Sequence, residues 1–130
     1  MQIFLCVILL FIPMMTNAEA GRVEKLILSE QNPVFRHVQV SGADGTYVVS
    51  GEAREPIGIF YYTVEDGHNE YIQEQRVRIQ GGEKWERFTI NVKVPPEAVP
   101  KNGTLLLNLY PKNEKGEITN LYPVILERRF

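Results

Sequence analysis

The chain has 130 residues, of which 44% are hydrophobic and 23% are charged, and this composition fits one folded domain and excludes an extended disordered protein. The formal net charge is −2 at pH 7, so no excess of basic charge favours binding to nucleic acid or to an anionic membrane surface. The single cysteine is Cys6, and the chain beyond it has no thiol for a disulfide, a zinc site or a nucleophile.

The first twenty residues have the pattern of a signal peptide. Residues 3–15 are almost entirely apolar, and Ala18 and Ala20 then form an A-x-A cleavage pattern. The apolar run is shorter than the roughly 20 residues that a membrane-spanning helix needs. We therefore predict that residues 1–20 are a cleaved signal peptide and that the mature chain begins at Gly21, is secreted or extracytoplasmic, and has no membrane span.

After the signal segment, hydrophobic residues recur with a period of two, which is typical of half-buried strands. The clearest case is residues 88–94, where alternate apolar side chains predict one buried face. Turn-forming pairs such as Asp-Gly and Gly-Gly separate the runs. The predicted strands lie at 23–29, 36–41, 46–53, 57–65, 71–80, 88–94, 104–110 and 121–128.

Eight short strands joined by such turns predict an all-β sandwich or barrel. The runs 57–64 and 104–110 are apolar on both faces, so we expect them to be central strands. The run 71–80 carries alternating charges, which suit an edge strand because charged side chains discourage pairing with another chain. A single helical turn is expected at 96–99.

Three stretches and two single residues of the mature chain form a recognisable set: 48–54 (VVSGEAR), 60–67 (FYYTVEDG), Trp85, Phe88 and 103–107 (GTLLL). Together they resemble a known bacterial family, the Gmad-type immunoglobulin-like domain of spore-germination and sporulation proteins. The resemblance extends from about residue 34 to residue 130.

This resemblance implies an immunoglobulin-like antiparallel β-sandwich of seven to eight strands over residues 34–130. Residues 21–33 then form an N-terminal extension or first strand. The family likeness also implies that Gly51 and Ala53 lie where sheets approach closely and that Trp85 fills the core. It implies a role in interaction or support at the cell envelope or spore.

Catalytic motifs are missing from the sequence. There is no G-x-S-x-G or S-x-x-K motif for a nucleophile, and the two histidines, His37 and His68, are not spaced as metal ligands. We predict no catalytic, cofactor-binding or metal-binding residues and no cofactor. The loop 65–70 is rich in oxygen donors, and we interpret it as a solvated hairpin turn in preference to a loose cation site.

Aromatic and basic residues on neighbouring strands form a candidate binding face. If the apolar residues of 57–65 point inward, Tyr61 and Thr63 lie on the outer face beside Arg76 and Arg78. Tyrosine and arginine are enriched at binding hot spots, although a solvated face is the simpler interpretation. The segment 127–130 is interpreted as a charged, solvated tail, with a second contact as the alternative.

The sequence therefore predicts an exported, non-catalytic immunoglobulin-like module that binds another protein or an envelope component. Two alternatives stay open. One is a secreted inhibitor of a hydrolase such as a protease, and the other is an accessory domain that binds carbohydrate or peptidoglycan.

Overall fold

The computed structural model describes residues 32–130, and these form an all-β fold of antiparallel strands with almost no helix. The seven strands are β1 Phe35–Ala43, β2 Thr46–Ala53, β3 Ile59–Glu65, β4 Glu70–Arg78, β5 Glu86–Lys93, β6 Gly103–Tyr110 and β7 Tyr122–Arg129, with one 3₁₀ turn at Pro96–Ala98. The predicted signal peptide (1–20) and the predicted strand at 23–29 lie outside the described residues. None of the helical structure in residues 32–130 has the length and apolar character of a membrane span.

The strands form a three-stranded sheet in the order β1-β2-β5 and a four-stranded sheet in the order β4-β3-β6-β7. The strands β3 and β6 are central and β4 is at an edge, so the predictions drawn from their apolar and charged patterns are confirmed.

The strand β3 begins at Ile59 and not at Ile57. The reason is a turn in which the buried Glu55 carboxylate accepts a hydrogen bond of 2.8 Å from the backbone N–H of Gly58.

The two sheets share one hydrophobic core, which makes the fold β-sandwich-like. Phe60 of β3 meets Phe35 of β1 and Phe88 of β5 with 5.1 Å between ring centroids in both pairs and edge-on geometry, the arrangement that aromatic quadrupoles favour. Along β5 the predicted alternation is confirmed, because every second residue is buried. The largest fully buried side chains are Tyr47, Phe35, Phe60, Leu105, Leu107, Leu109, Val49, Val64 and Val92.

A side chain at Gly51 of β2 would meet neighbours in its own sheet before it met the other sheet. A Cβ atom on Gly51 would lie 3.0 Å from the Val38 side chain and 3.1 Å from the ring of Phe88, and Phe88 is the cross-strand partner of Gly51. The phenyl ring thus occupies the space above the glycine. Ala53 is fully buried, as expected.

The prediction that Trp85 fills the core is wrong. Its side chain is half-buried just before β5, and the guanidinium carbons of Arg36 and Arg54 lie 4.1 and 4.6 Å from its ring centroid. The indole is an amphipathic group whose face attracts cations. Trp85 is therefore held at the surface by two arginines.

The interpretation of residues 127–130 as a solvated tail is wrong for Glu127 and Arg129, although Arg128 and Phe130 are exposed. Glu127 accepts hydrogen bonds from the hydroxyl of Tyr47 at 2.6 Å and from the backbone N–H of Asp44 at 2.9 Å. Arg129 forms ion pairs of 2.5 Å with Glu127 and with Asp44. Burial, and then the bond to Glu127, raises the pKa of Tyr47 to about 12. This network ties the end of β7 to the turn between β1 and β2.

The contact between the three phenyl rings makes Phe60 the core residue whose truncation we expect to be most damaging. Phe60→Ala leaves a cavity between the two sheets and should lower the free energy of unfolding by about 3–5 kcal/mol. Urea unfolding followed by tryptophan fluorescence measures this change. Ile57→Ala is the control, since Ile57 is 69% exposed and its truncation should change stability by less than about 0.5 kcal/mol. Equal stabilities of the two variants would contradict a core built on Phe60.

Candidate binding face

The four residues predicted as a binding face lie together on the outer surface of the four-stranded sheet. Tyr61 and Thr63 belong to β3, and Arg76 and Arg78 belong to β4. Tyr61 is the direct cross-strand partner of Arg76, and Arg78 pairs with Ile59 two residues away along the same face. Because side chains alternate between the faces of a strand, all four point away from the core. We call this surface the tyrosine–arginine face.

A second tyrosine, which the sequence analysis missed, completes the aromatic part of this face. Tyr110 of β6 is the cross-strand partner of Tyr61, and the two rings are stacked with centroids 6.0 Å apart and an interplanar angle of 20°. The ammonium group of Lys112 lies 4.6 Å from the centroid of the Tyr61 ring. Stacking and the cation–π contact together fix the orientation of Tyr61.

Glu74 is the acidic residue of the face, and both of its carboxylate oxygens are already used. Lys112 donates to one oxygen at 2.7 Å, and the hydroxyl of Tyr110 donates to the other at 2.7 Å. The bond from Lys112, followed by the bond from Tyr110, lowers the pKa of Glu74. In Tyr110, burial and then the bond to Glu74 raise the pKa. The charge of Glu74 is thus balanced mainly by Lys112, with a smaller Coulombic contribution from Arg76.

The two arginines of β4 add exposed positive charge to the face, and Glu74 is the acidic group that interacts with Arg76 through space. Within residues 32–130 neither Arg76 nor Arg78 forms an ion pair with an acidic side chain, and both are exposed. Their cross-strand partners, Tyr61 and Ile59, carry no charge. The face therefore presents two guanidinium groups next to a fixed tyrosine.

The tyrosine–arginine face is bordered on one side by a polar pair and on another by a small groove. The amide of Asn108 donates to the hydroxyl of Thr63 at 3.5 Å, a weak bond that links β6 to β3. A shallow groove of about 220 Å³ next to Tyr61 is lined partly by Ile57 and Lys112. The exposed side chain of Ile57 gives this border an apolar component.

His37 occupies an unusual position that the sequence did not reveal. Its φ of 53° is in the left-handed region, where the β1 and β2 register shifts between Arg36 and Gln39, as at a β-bulge. The ring Nδ1 lies 2.8 Å from a carboxylate oxygen of Glu52, and this contact, followed by that of Arg36, lowers the pKa of Glu52. Within residues 32–130 no group of three or more histidine, cysteine or acidic side chains is arranged to hold a metal ion.

The loop between β3 and β4 has the hydrogen bonds of a capped hairpin turn. One oxygen of Asp66 accepts from the backbone N–H groups of His68 and Asn69 at 2.8 and 2.7 Å, and the other accepts from the hydroxyl of Tyr71 at 2.6 Å. These bonds, the one from Tyr71 first, lower the pKa of Asp66 to about 2. The carboxylate is committed to the turn, which supports the interpretation of a hairpin.

Comparison with protein-family models, with curated proteins and with solved structures finds no match to this chain.

The balance of charge at Glu74 can be tested by removing Lys112. In Lys112→Met the carboxylate loses its cationic partner, so its pKa should rise toward the ordinary value of 4.5. A lowered carboxyl pKa stabilises the fold above the unfolded-state pKa, and this contribution disappears as pH falls through the folded-state pKa. In the variant, the contribution of Glu74 to the free energy of unfolding should be smaller. It should also be lost at a higher pH than in the unaltered chain.

Carboxyl ¹³C NMR titration of Glu74 measures this change. Lys115→Met, which removes an exposed lysine of the neighbouring loop, is the matched control and should leave the pKa of Glu74 where it is. An identical titration curve for Glu74 in Lys112→Met and in the unaltered chain would contradict the assigned ion pair.

Proposed function

We propose that this chain is an exported, non-catalytic, immunoglobulin-like module that binds another protein or an envelope component through its tyrosine–arginine face. The proposed setting is the bacterial cell envelope or spore, in sporulation or germination, as the resemblance to the Gmad-type domain implies. The observation that carries the proposal is the pair of exposed arginines, Arg76 and Arg78, which form no ion pair among the described residues and lie beside the fixed ring of Tyr61.

The strand order supports the immunoglobulin-like part of this proposal. If β1, β2, β3, β5, β6 and β7 correspond to immunoglobulin strands A, B, C, E, F and G, the sheets are A-B-E and C-F-G with one further strand beside C. That further strand is β4, which pairs with β3. This arrangement differs from the constant-type immunoglobulin domain, where the fourth strand joins the A-B-E sheet.

The chemistry of the face supports binding in preference to catalysis. The carboxylate of Glu74 and the hydroxyl of Tyr110 are both engaged in short hydrogen bonds, so neither is free to exchange a proton with a substrate next to Tyr61. Guanidinium groups have no acceptor and stay charged at all physiological pH values. Arginine and tyrosine on a rigid sheet provide contact area and donors at a low entropic cost of ordering.

The alternative of a carbohydrate-binding domain is less well supported. Sugar rings usually need an open aromatic surface, but the ring of Tyr61 stacks on Tyr110 and has Lys112 over it. The Trp85 ring is likewise in contact with Arg36 and Arg54. Exposed guanidinium groups fit an anionic protein surface better than a neutral polysaccharide.

Export can be tested with the full-length chain expressed in a secretion-competent bacterium. The apolar run at 3–15 and the A-x-A pattern predict cleavage after Ala20. Intact-mass measurement and N-terminal sequencing of the product recovered outside the cytoplasm should therefore give a chain that begins at Gly21. An uncleaved chain that starts at Met1 and stays in the cytoplasm would contradict the proposed location.

The role of the face can be tested by charge reversal. The double variant Arg76→Glu and Arg78→Glu should lose at least about tenfold in retention of envelope proteins on the immobilised chain, because two favourable charge contacts become repulsive. Lys93→Glu is the control, since Lys93 is an exposed cation of β5 in the other sheet and lies opposite the uncharged Thr46. Circular dichroism checks that both variants keep the fold. Equal retention by the two variants would contradict binding through this face.

A further inference from the structure

Among residues 32–130, β4 combines an edge that pairs with no further strand and two exposed arginines that form no ion pair. It ends the strand order β4-β3-β6-β7, so its outer backbone groups pair with no other strand among the described residues. Residues Gln75 to Arg78 pair with β3 in regular register, which gives this part of the edge a straight backbone. An open edge of this kind is a template for a further strand.

The other sheet edges are less suited to accept a strand next to free positive charge. The strand β1 is interrupted by the irregularity at His37, and β7 contains Pro123, which has no N–H to donate. The strand β5 is regular, but its Arg87 lies directly opposite Glu52. The charge of Arg87 already has an acidic neighbour across the strands, whereas Arg76 and Arg78 face the uncharged Tyr61 and Ile59.

The spacing of the two arginines determines which positions of an added strand must be acidic. Residues two positions apart on one face of a strand are separated by about 6.6 Å. An added strand would place its own same-face side chains at this spacing, each about 5 Å from the Cβ atom opposite. Acidic residues at alternate positions would thus face Arg76 and Arg78 in turn, and opposite charges at such positions stabilise strand pairing.

We propose that β4 accepts an acidic, extended segment of a partner protein as an additional strand, with alternate carboxylates paired to Arg76 and Arg78. This inference rests on the proposed function and names its partner class. The backbone edge provides affinity and the arginine pair selects for acidic sequence. Glu74 does not oppose such a partner strongly, because Lys112 and Tyr110 hold both of its oxygens.

The charges of β4 also bear on a second copy of this chain as the occupant. When two β4 strands pair antiparallel about Arg76, the two copies of Arg76 lie directly opposite each other, which destabilises the pair, and each Arg78 lies opposite the Glu74 of the other copy. That carboxylate is already held by Lys112 and Tyr110. A strand with unengaged carboxylates opposite both arginines therefore fits this edge better than a second copy does.

The probe is a synthetic peptide, acetyl-Thr-Glu-Val-Glu-Val-Glu-Thr-amide, titrated into the purified chain by calorimetry. A second peptide has the same sequence with alternate backbone amides N-methylated, which removes the hydrogen-bond donors for β4 and keeps the charges. A third has lysine in place of every glutamate. Three forms of the chain are compared: the unaltered chain, the double variant Arg76→Glu and Arg78→Glu, and the control Lys93→Glu, whose cross-strand partner Thr46 is uncharged.

The proposal predicts that the acidic peptide binds the unaltered chain and Lys93→Glu equally. Binding should weaken about tenfold or more in the double variant and with the N-methylated peptide, and the lysine peptide should not bind. Amide hydrogen exchange should slow along β4 when the acidic peptide is present. Equal binding of the methylated and unmethylated peptides would overturn strand addition, as would an unchanged affinity in the double variant.

The failure of this inference is distinguishable from failure of the proposed function. If the peptide does not bind but envelope retention still depends on Arg76 and Arg78, the strand-addition proposal is overturned and the binding face stands. If sedimentation shows that the unaltered chain dimerises through β4, and the double variant abolishes the dimer, a second copy is the occupant and the acidic-partner proposal is overturned.

Discussion

The packing of Phe60 between Phe35 and Phe88 is the contact on which the rest of the structure depends. It joins the two sheets at the centre of their shared core. Because side chains alternate along a strand, an inward Phe60 requires an outward Tyr61, and a slip of one residue would exchange the two. The core therefore determines which side chains of β3 are available to a partner.

The strand pattern could be predicted because it depends on local alternation. Along β5 the burial of every second residue follows directly from the period of two, and the central positions of β3 and β6 follow from apolar residues on both faces. The candidate face was predictable in part for the same reason. Tyr61 and Arg76 lie on consecutive strands that a short hairpin brings side by side.

The remaining parts of the face depend on pairing between strands that are distant in sequence. Tyr110 and Lys112 reach Tyr61 because β6 pairs with β3 in one particular register. The alternation of apolar residues within one sequence does not determine which residues of two distant strands lie opposite each other. Trp85 was misplaced because its core position was taken from the family likeness, which does not take account of the attraction between the indole ring and nearby cations. Its contacts with Arg36 and Arg54 likewise require the fold to be known.

The central claim is that the outer face of the four-stranded sheet at β4 is the surface that this protein uses. Site-specific photo-crosslinking in living cells tests it most directly, with a photoreactive residue placed at Gln73 of β4 in one strain and at Thr89 of β5 in another; both positions are exposed. The account predicts a discrete protein adduct from position 73 and none from position 89. Adducts of equal yield from both positions, or an adduct from position 89 alone, would contradict it.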